Sequence, residues 1–256
     1  MNLIGTEFED GVLTVTLRDE ENRNALSAEL TSELAQTLDE AESNSEVRVI
    51  VLTNSGRVFC AGADLSERSS RNKNKTQTKP VDPLEIFSRF RKSSKPYIGK
   101  ITGHCVAGGM GIAAAMDISI AIEEAKFGFT EVRIGVAPAM ISVLCLPKMR
   151  SAEASEAFLR GNRFSASEAA RMGLINAAVP ANEIDSAVQE VVSDIKAGGP
   201  EAIAAAKQLI LRVPQMQLDE AFNWTSELSS NLFRSEEAQE GMKAYLDKRP
   251  PSWMNE

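Results

Sequence analysis

The most constraining feature of the sequence is a change of pattern near residue 138. Before it, β-branched or alternating runs at residues 13–17, 47–53, 97–102, 118–122 and 126–130 are separated by helical patterns and glycine-rich turns. After it, apolar residues recur at helical spacing and no further strand is predicted. This order predicts an α/β half followed by an all-α half.

Capping residues locate several helices. Ser27 can cap a helix whose buried stripe is Leu30, Leu34, Leu38 and Ala41. A capping box at residues 165–168 opens another helix. The remaining helices are expected at residues 84–90, 151–161, 183–197, 201–213 and 218–246, the last with a break near Ser235. Residues 66–83 have almost no apolar content and are expected to form a mobile loop.

Composition excludes several classes of function. The chain has 28 Lys and Arg against 36 Asp and Glu, a net charge of -8, which argues against nucleic acid or an anionic membrane as partner. The three cysteines show no metal-binding or redox spacing, which indicates a reduced chain. The first residues lack a signal-peptide pattern, and no apolar run approaches the roughly 20 residues that span a bilayer. We therefore expect a cytoplasmic protein without a metal or a membrane partner.

Two segments rich in small residues follow predicted strands. Residues 59–65 would let a ligand approach the backbone, although on local grounds alone a tight strand-to-helix connection is favoured. Residues 103–111 open a helix, and amide groups at a helix N-terminus can bind an anion. This second segment matches a dinucleotide-binding fingerprint only weakly, because its strand ends several residues too early.

Three kinds of side chain remain as candidates for chemistry. His104 is the only histidine and has no partner at triad spacing, so a structural role is favoured. The cysteines are expected in the core. Glu131 follows an apolar strand and is flanked by Val132 and Ile134, so partial burial could raise its pKa, although without more context an ordinary exposed glutamate is favoured.

Taken together and in order, these segments resemble the enoyl-CoA hydratase/isomerase superfamily, also called the crotonase superfamily. The similarity runs nearly end to end. It is carried by residues 24–26, 59–65, 103–111, 130–135, 164–174 and 240–249. The Ala-Gly-Ala-Asp-Leu sequence at residues 61–65 and the Gly-Gly pair at residues 108–109 are highly specific for the superfamily and less specific for the reaction.

The resemblance implies a fold and an assembly. The fold would be α/β, a ClpP/crotonase-like spiral of ββα units at residues 1–195, followed by a helical C-terminal trimerisation region at residues 196–256. Trimers, or dimers of trimers, would form through the C-terminal helices. The substrate would be an acyl-CoA thioester of fatty acid metabolism and β-oxidation, and no cofactor beyond the CoA of the substrate would be needed.

The resemblance also assigns site residues. The backbone amides of Ala63 and Gly108 would form an oxyanion hole, and Glu131 would be the catalytic acid or base. Tyr245 and Lys248 would contact the CoA bound by a neighbouring subunit. The remaining substrate- and CoA-binding positions would be Arg23, Ala25, Leu26, Ala61, Asp64, Leu65 and Gly109.

One position departs from the pattern of typical hydratases, which use two glutamates. The first of these falls at Gly111, where we expect a gap that water or a substrate branch can fill. A single Glu131 could still hydrate a 2-enoyl-CoA, and the local sequence is similar to a branch that includes methylglutaconyl-CoA hydratases. A Δ3-Δ2 isomerase with one base and a non-catalytic acyl-CoA binding protein remain as alternatives.

Overall fold

Ten short strands and eleven α-helices build the protein in the computed structural model, which describes residues 2–69 and 81–254. The strands are β1 (Ile4–Glu9), β2 (Val12–Leu17), β3 (Val49–Asn54), β4 (Val58–Cys60), β5 (Tyr97–Ile101), β6 (His104–Val106), β7 (Ile118–Ile122), β8 (Lys126–Gly128), β9 (Phe164–Ser165) and β10 (Ala177–Val179). The helices are α1 (Ala28–Ser43), α2 (Leu65–Ser69), α3 (Pro83–Lys92), α4 (Gly108–Ala115), α5 (Ala139–Cys145), α6 (Ser151–Arg160), α7 (Ala166–Arg171), α8 (Ile184–Ala197), α9 (Pro200–Arg212), α10 (Leu218–Arg234) and α11 (Glu236–Asp247).

The strands form two sheets. The larger has the order β1-β2-β3-β5-β7-β10 and is parallel except for the β1–β2 pair. The smaller has the order β4-β6-β8-β9, in which β4, β6 and β8 are parallel and β9 is antiparallel. The chain alternates between the two sheets and passes from β3 to β4, from β5 to β6 and from β7 to β8. This alternation produces the expected spiral, in which three similar segments lie side by side.

The capping residues recognised in the sequence begin the expected helices. The Ser27 hydroxyl accepts a hydrogen bond from the Leu30 amide at 3.2 Å, and the predicted apolar stripe of α1 is buried. Ser165 and Glu168 form a reciprocal capping box at α7. Ser235 ends α10 and caps α11, so the expected break lies there. Local hydrogen bonding therefore sets these helix boundaries, as the sequence predicted.

Two expectations about the chain were wrong in part. Strands do not stop at residue 138, because β9 and β10 pair with β8 and β7. Strands of two or three residues are too short to show alternation, and only the neighbouring strand defines them. The expected loop at residues 66–83 is helical at its start, in α2, and at Pro83, where α3 begins. Residues 70–80 of that loop lie outside the described residues.

The C-terminal helices attach to the sheets through a buried ion pair. The Lys207 ammonium group on α9 lies 2.8 Å from the Asp117 carboxylate, and only 6% of the Lys207 side chain is exposed. The same group donates to the Lys95 carbonyl oxygen at 2.7 Å. On the preceding helix α8, Ile184 and Val192 pack against the larger sheet. Within the described ranges, no helix combines the length and hydropathy needed to cross a bilayer.

Candidate active site

Three chain segments meet where the parallel strands of the smaller sheet end. Ala63 lies three residues beyond the end of β4, Gly108 two beyond the end of β6, and Glu131 three beyond the end of β8. Because β4, β6 and β8 are parallel neighbours, their carboxyl ends share one edge. This is the edge at which α/β proteins commonly bind ligands. The topology therefore brings together the three residues assigned from the sequence.

The amides of Ala63 and Gly108 are close neighbours. A Cβ atom built on Gly108 would lie 3.6 Å from the Ala63 nitrogen, and one built on Gly62 would lie 2.9 Å from the Gly108 nitrogen. Gly108 is the first residue of α4, so its N–H group has no intrahelical acceptor. Among the residues that the structure describes, neither amide has a hydrogen-bond acceptor. The edge thus presents two free donors side by side.

Small residues are needed here because the two donor segments pack backbone against backbone. Gly62 has φ +88°, and a Cβ at that position would lie 2.7 Å from the Ala107 Cβ. Ala107 itself has φ 50° and ψ −125°, a conformation that favours glycine and costs energy in any other residue. The strained turn at Ala107 directs the chain from β6 into α4, so it positions the Gly108 amide.

Glu131 supplies a carboxylate at the same edge. It lies in the 3-10 helix Thr130–Ile134 and is half-buried. Its Oε2 atom is buried and has no hydrogen-bond partner among the described residues. Burial raises the pKa of Glu131. A carboxyl group with a raised pKa and a free oxygen is suited to accept a proton and return it.

The two apolar neighbours of Glu131 in the sequence are themselves exposed. Val132 and Ile134, which the sequence suggested as the apolar cover, are 37% and 57% exposed. In addition to burial, the negative charge of Glu131 contributes to raising the pKa of Cys145, a buried residue at the end of α5. Burial raises the pKa of the Cys145 thiol to about 12, so Cys145 is neutral and its thiol is inert as a nucleophile. The other two cysteines are buried as well, as expected for core residues.

The expected gap at Gly111 is absent. A Cβ atom built there would lie 2.5 Å from Ile141 Cγ2 and 2.9 Å from Phe87 Cζ. These apolar side chains, from α5 and α3, occupy the space in which typical family members would carry a first glutamate. The expectation failed because the sequence does not show which distant side chains pack against α4.

The loop before α1 pairs with the first donor segment. The Leu26 amide donates to the Gly62 carbonyl oxygen at 2.7 Å, and the Ala61 amide donates to the Arg23 carbonyl oxygen at 3.2 Å. Arg23 and Asn24 both have positive φ values. Asn24 is fully buried and its side-chain amide donates to the Val58 carbonyl oxygen at 2.7 Å. This hydrogen bond was not predicted from the sequence, since no sequence signal marks a buried asparagine in a left-handed turn.

Two further carboxylates near the edge are engaged within the protein. One Asp64 oxygen accepts from the Asn22 side chain at 2.8 Å and the other from the Ser66 amide at 2.8 Å. Burial alone would raise the pKa of Asp64, but these hydrogen bonds outweigh it and lower the pKa. Glu67 accepts from the Ala28 amide at the start of α1. Both groups therefore hold the loop, and Asp64 is expected to contribute its backbone rather than a free acid.

The remaining assigned residues divide into two groups. Ala25 and Gly109 are buried beside the donor segments, and Leu65 is 55% exposed at the start of α2. Tyr245 and Lys248 are not brought to this edge. Tyr245 is 84% exposed at the end of α11, and no hydrogen bond or ion pair of the described residues connects either side chain with the edge.

Other candidate groups have structural explanations. His104 accepts a hydrogen bond from the Lys126 amide between β6 and β8, and burial lowers its pKa. This agrees with the structural role expected for it. Residues 2–69 and 81–254 contain no group of three or more His, Cys, Asp or Glu side chains that could hold a metal ion.

Comparisons with known proteins agree with this geometry. A family model described as "Enoyl-CoA hydratase/isomerase" matches residues 7–256. The short-chain-enoyl-CoA hydratase of Clostridium acetobutylicum is 31% identical over 251 residues, which cover 97% of this chain and 96% of that protein. An enoyl-CoA hydratase of Mycobacterium tuberculosis is 32% identical over 254 residues, which cover 95% of this chain and 93% of that protein.

The comparison of folds gives the same result as the comparison of sequences. The crystal structure of an enoyl-CoA hydratase from Bacillus anthracis has a TM-score of 0.89 and 28% identity, and the match covers 99% of this chain and all of that chain. The expected crotonase fold is therefore confirmed. By its sequence, its fold and the family model that spans nearly all of it, the chain belongs to the enoyl-CoA hydratase/isomerase family.

Proposed function

We propose that the protein is an enoyl-CoA hydratase, which adds water across the 2,3 double bond of a 2-enoyl-CoA thioester. One observation carries this proposal. A half-buried carboxyl group, Glu131, with a raised pKa and an unpartnered Oε2, shares one sheet edge with two free backbone donors. The names of the full-length relatives support the same activity.

The two amides would stabilise the charge that develops during the reaction. When a nucleophile adds to C3 of the enoyl thioester, electrons move to the thioester oxygen and an enolate forms. The N–H groups of Ala63 and Gly108 would donate to that oxygen. Each preorganised donor of this kind contributes about 2.7–4 kcal/mol in enzymes where it has been removed.

Glu131 would handle both proton transfers. As a carboxylate it takes one proton from a bound water, and the hydroxide adds to C3. The resulting carboxylic acid returns the proton to C2 as the enolate collapses, so one water is consumed and Glu131 is regenerated. A base with a raised pKa suits this role, since proton transfer is most efficient when the pKa lies near the working pH.

Gly111 supports a second candidate, a Δ3-Δ2 enoyl-CoA isomerase. Ile141 and Phe87 occupy the position where a second acid would stand, and an isomerase needs only one base to move a proton between C4 and C2. Binding without turnover is the third outcome to be tested. Hydration remains the favoured function because the relatives are hydratases and a single acid suffices for it.

A spectrophotometric assay separates the three functions. We expect the absorbance of 2-enoyl-CoA thioesters to fall when the protein is added in water, across a panel of short, branched and long acyl groups. An isomerase would instead produce that absorbance from a 3-enoyl-CoA. CoA binding with neither change would identify a binding protein and contradict the hydratase assignment. The panel also tests a role in β-oxidation, which needs activity on straight-chain substrates.

The complete site would include a neighbouring subunit. We propose trimers, or dimers of trimers, in which Tyr245 and Lys248 of one chain contact the CoA bound by the next. The Lys248 ammonium could pair with a CoA phosphate in spite of the acidic net charge. Exposed apolar side chains support such an assembly, with Phe222 at 64% and Leu246 at 78% exposed. No cofactor beyond the CoA of the substrate is needed for this chemistry.

A further inference from the structure

The direction of the Ala63 N–H group is set by the residue before it, Gly62. The Gly62 carbonyl oxygen accepts a hydrogen bond from the Leu26 amide at 2.7 Å. The Gly62 carbonyl and the Ala63 N–H belong to one planar trans peptide group, so they point in opposite directions. Because one end of this peptide group is bound to Leu26, its other end presents the Ala63 N–H on the opposite side.

The peptide group on the other side of Gly62 is held by a sulfur atom. The Gly62 amide donates to Cys60 Sγ at 3.4 Å, and this hydrogen bond is buried. Cys60 is the last residue of β4 and is fully buried. Burial raises the pKa of its thiol to about 12, so the sulfur is uncharged and serves as a weak neutral acceptor. Among the residues that the structure describes, the Gly62 amide has no other acceptor.

This turn depends on both hydrogen bonds because glycine alone does not fix a conformation. Gly62 has φ +88°, and a glycine can leave that region at little cost. The Leu26 amide binds the peptide group after Gly62, and the Cys60 sulfur binds the peptide group before it. Together they select one backbone conformation, and with it one direction of the Ala63 donor.

Cys60 also packs against the second donor segment. A Cβ atom built on Gly109 would lie 2.7 Å from the Cys60 carbonyl oxygen and 2.9 Å from the Cys60 Cβ. Gly109 directly follows the Gly108 donor in the first turn of α4. Cys60 therefore contacts a residue next to each of the two donors, although it lies beneath them and is closed to solvent.

We propose that Cys60 is a positioning residue of the oxyanion hole, which directs the Ala63 amide through its hydrogen bond with the Gly62 amide. This role rests on the proposed function and extends it to a side chain that does not touch the substrate. A donor stabilises an enolate most when its direction is fixed before the charge develops. Without the sulfur acceptor, the turn at Gly62 would sample other conformations, and the Ala63 N–H would point at the thioester oxygen for only part of the time.

The first test is Cys60→Ala, which removes the acceptor. We expect kcat for 2-enoyl-CoA hydration to fall by about 10-fold, less than the roughly 10²–10³-fold loss that follows removal of an oxyanion donor. KM should change little, because the donor acts on charge that develops in the transition state. Cys60→Ser keeps an acceptor at this position and should recover most of the lost turnover.

Cys105→Ala is the matched control. Cys105 pairs with Cys60 in the register of β4 and β6 and is also fully buried. Within the described ranges its thiol makes no hydrogen bond, so alanine removes the same atom without removing an acceptor. Both alanine variants should lower the melting temperature, but Cys105→Ala should keep the native kcat. A merely structural role of Cys60 would make kcat follow the melting temperature in both variants.

A second measurement does not depend on catalysis. Hydrogen exchange of the Gly62 amide, followed by nuclear magnetic resonance, should be faster in Cys60→Ala than in the native protein and in Cys105→Ala. If no thioester is hydrated, the proposed function fails, and faster exchange in Cys60→Ala alone would still support the hold of Cys60 on Gly62. Unchanged exchange or unchanged kcat in Cys60→Ala would overturn the positioning role, as would an equal loss of kcat in Cys105→Ala or no recovery in Cys60→Ser.

Discussion

The edge that carries Ala63, Gly108 and Glu131 and the outer surface of α10 and α11 are built in opposite ways. At the edge, small residues let backbones touch, and an added Cβ at Gly62 or Gly111 would collide with its neighbours. On the outer surface, large apolar side chains face solvent, with Tyr245 84% and Leu246 78% exposed. The edge is filled by one chain, whereas the helix surface has apolar area left over for another. Under the proposed function, residues of one chain would carry out the reaction, and the last helices would provide the surface for association.

The largest effect is expected from Glu131→Gln, which keeps the shape of the edge and removes its proton carrier. Turnover should fall by about 10²–10⁴-fold, with acyl-CoA binding nearly retained. Steady-state kinetics and calorimetry measure the two quantities. Glu124→Gln, at an exposed position just before β8, is the matched control. Full activity in Glu131→Gln would contradict the acid–base role of Glu131.

A second change at the edge tests the oxyanion donor. Proline at position 108 has no N–H group but is tolerated at the first position of a helix. Gly108→Pro should therefore lower turnover by about 10²-fold or more. Gly108→Ala keeps the N–H group and should lose less, since its Cβ would meet the flexible end of Leu26 at 3.1 Å and the Gly62 Cα at 3.3 Å, contacts that a shift of a few tenths of an ångström relieves. Equal losses in both variants would point to crowding instead of a lost donor.

Substitutions on the outer surface of α10 and α11 should change the oligomeric state first and the reaction only as a consequence. Serine at both Phe222 and Leu246 removes exposed apolar area and should lower the molar mass in light scattering from that of an oligomer to that of one chain. Surface changes of this kind alter the stability of a single chain by about 0.5 kcal/mol or less. Phe8→Ser, at a site 46% exposed on β1, is the control. An unchanged mass would place the interface elsewhere.

A smaller effect is expected from filling the space at Gly111. Alanine there must displace Ile141 or Phe87, and overpacking of this kind costs about 1–3 kcal/mol of unfolding free energy. The better helix propensity of alanine offsets at most about 1 kcal/mol of that cost. Chemical denaturation of Gly111→Ala, Ile141→Ala and the double variant measures the coupling. Simple additivity of the two changes would show that the residues do not touch.

The smallest effect is a pH dependence of stability. Burial raises the pKa of Glu131 in the folded chain, so the folded state holds this proton more tightly than the unfolded state. The stability of the native protein must then decline as pH rises through the raised pKa. Glu131→Gln lacks this decline, so its melting temperature should exceed that of the native protein at neutral pH. The difference should vanish at pH values below the ordinary pKa of glutamate.

The parts of the fold that were predictable are those with local causes. Ser27 and Ser165 cap helices through hydrogen bonds within a few residues, and both caps were predicted from the sequence. Near Ser235 the sequence predicted only a break, and the structure shows that Ser235 caps α11. Short strands such as β6 and β10 were not predicted, because two or three residues carry no periodicity and their hydrogen bonds run to distant strands. The α/β-then-α order survived this error since it rests on long segments.

In the candidate site too, features with local causes were predictable and features set by distant contacts were not. Ala63, Gly108 and Glu131 could be assigned because small residues and a carboxylate stand at fixed places after strands, in an order that resembles a known family. The filling of Gly111 could not be predicted, since Phe87 and Ile141 come from other elements and their approach depends on packing. The hydrogen bond from the Asn24 side chain could not be predicted for the same reason, because its acceptor at Val58 lies 34 residues away.

Strand register has a consequence for how such a chain can be redesigned. Ala63, Gly108 and Glu131 depend on three parallel strands of three residues each, and every one of them lies within three residues of a strand end. The spacing of the reacting groups thus depends on the spacing of neighbouring strands. Sheet geometry fixes that strand spacing near 4.8 Å. Engineers could exchange the peptide that returns from α3 or α4 to the next strand, or open the chain there, and expect the spacing of the three groups to survive.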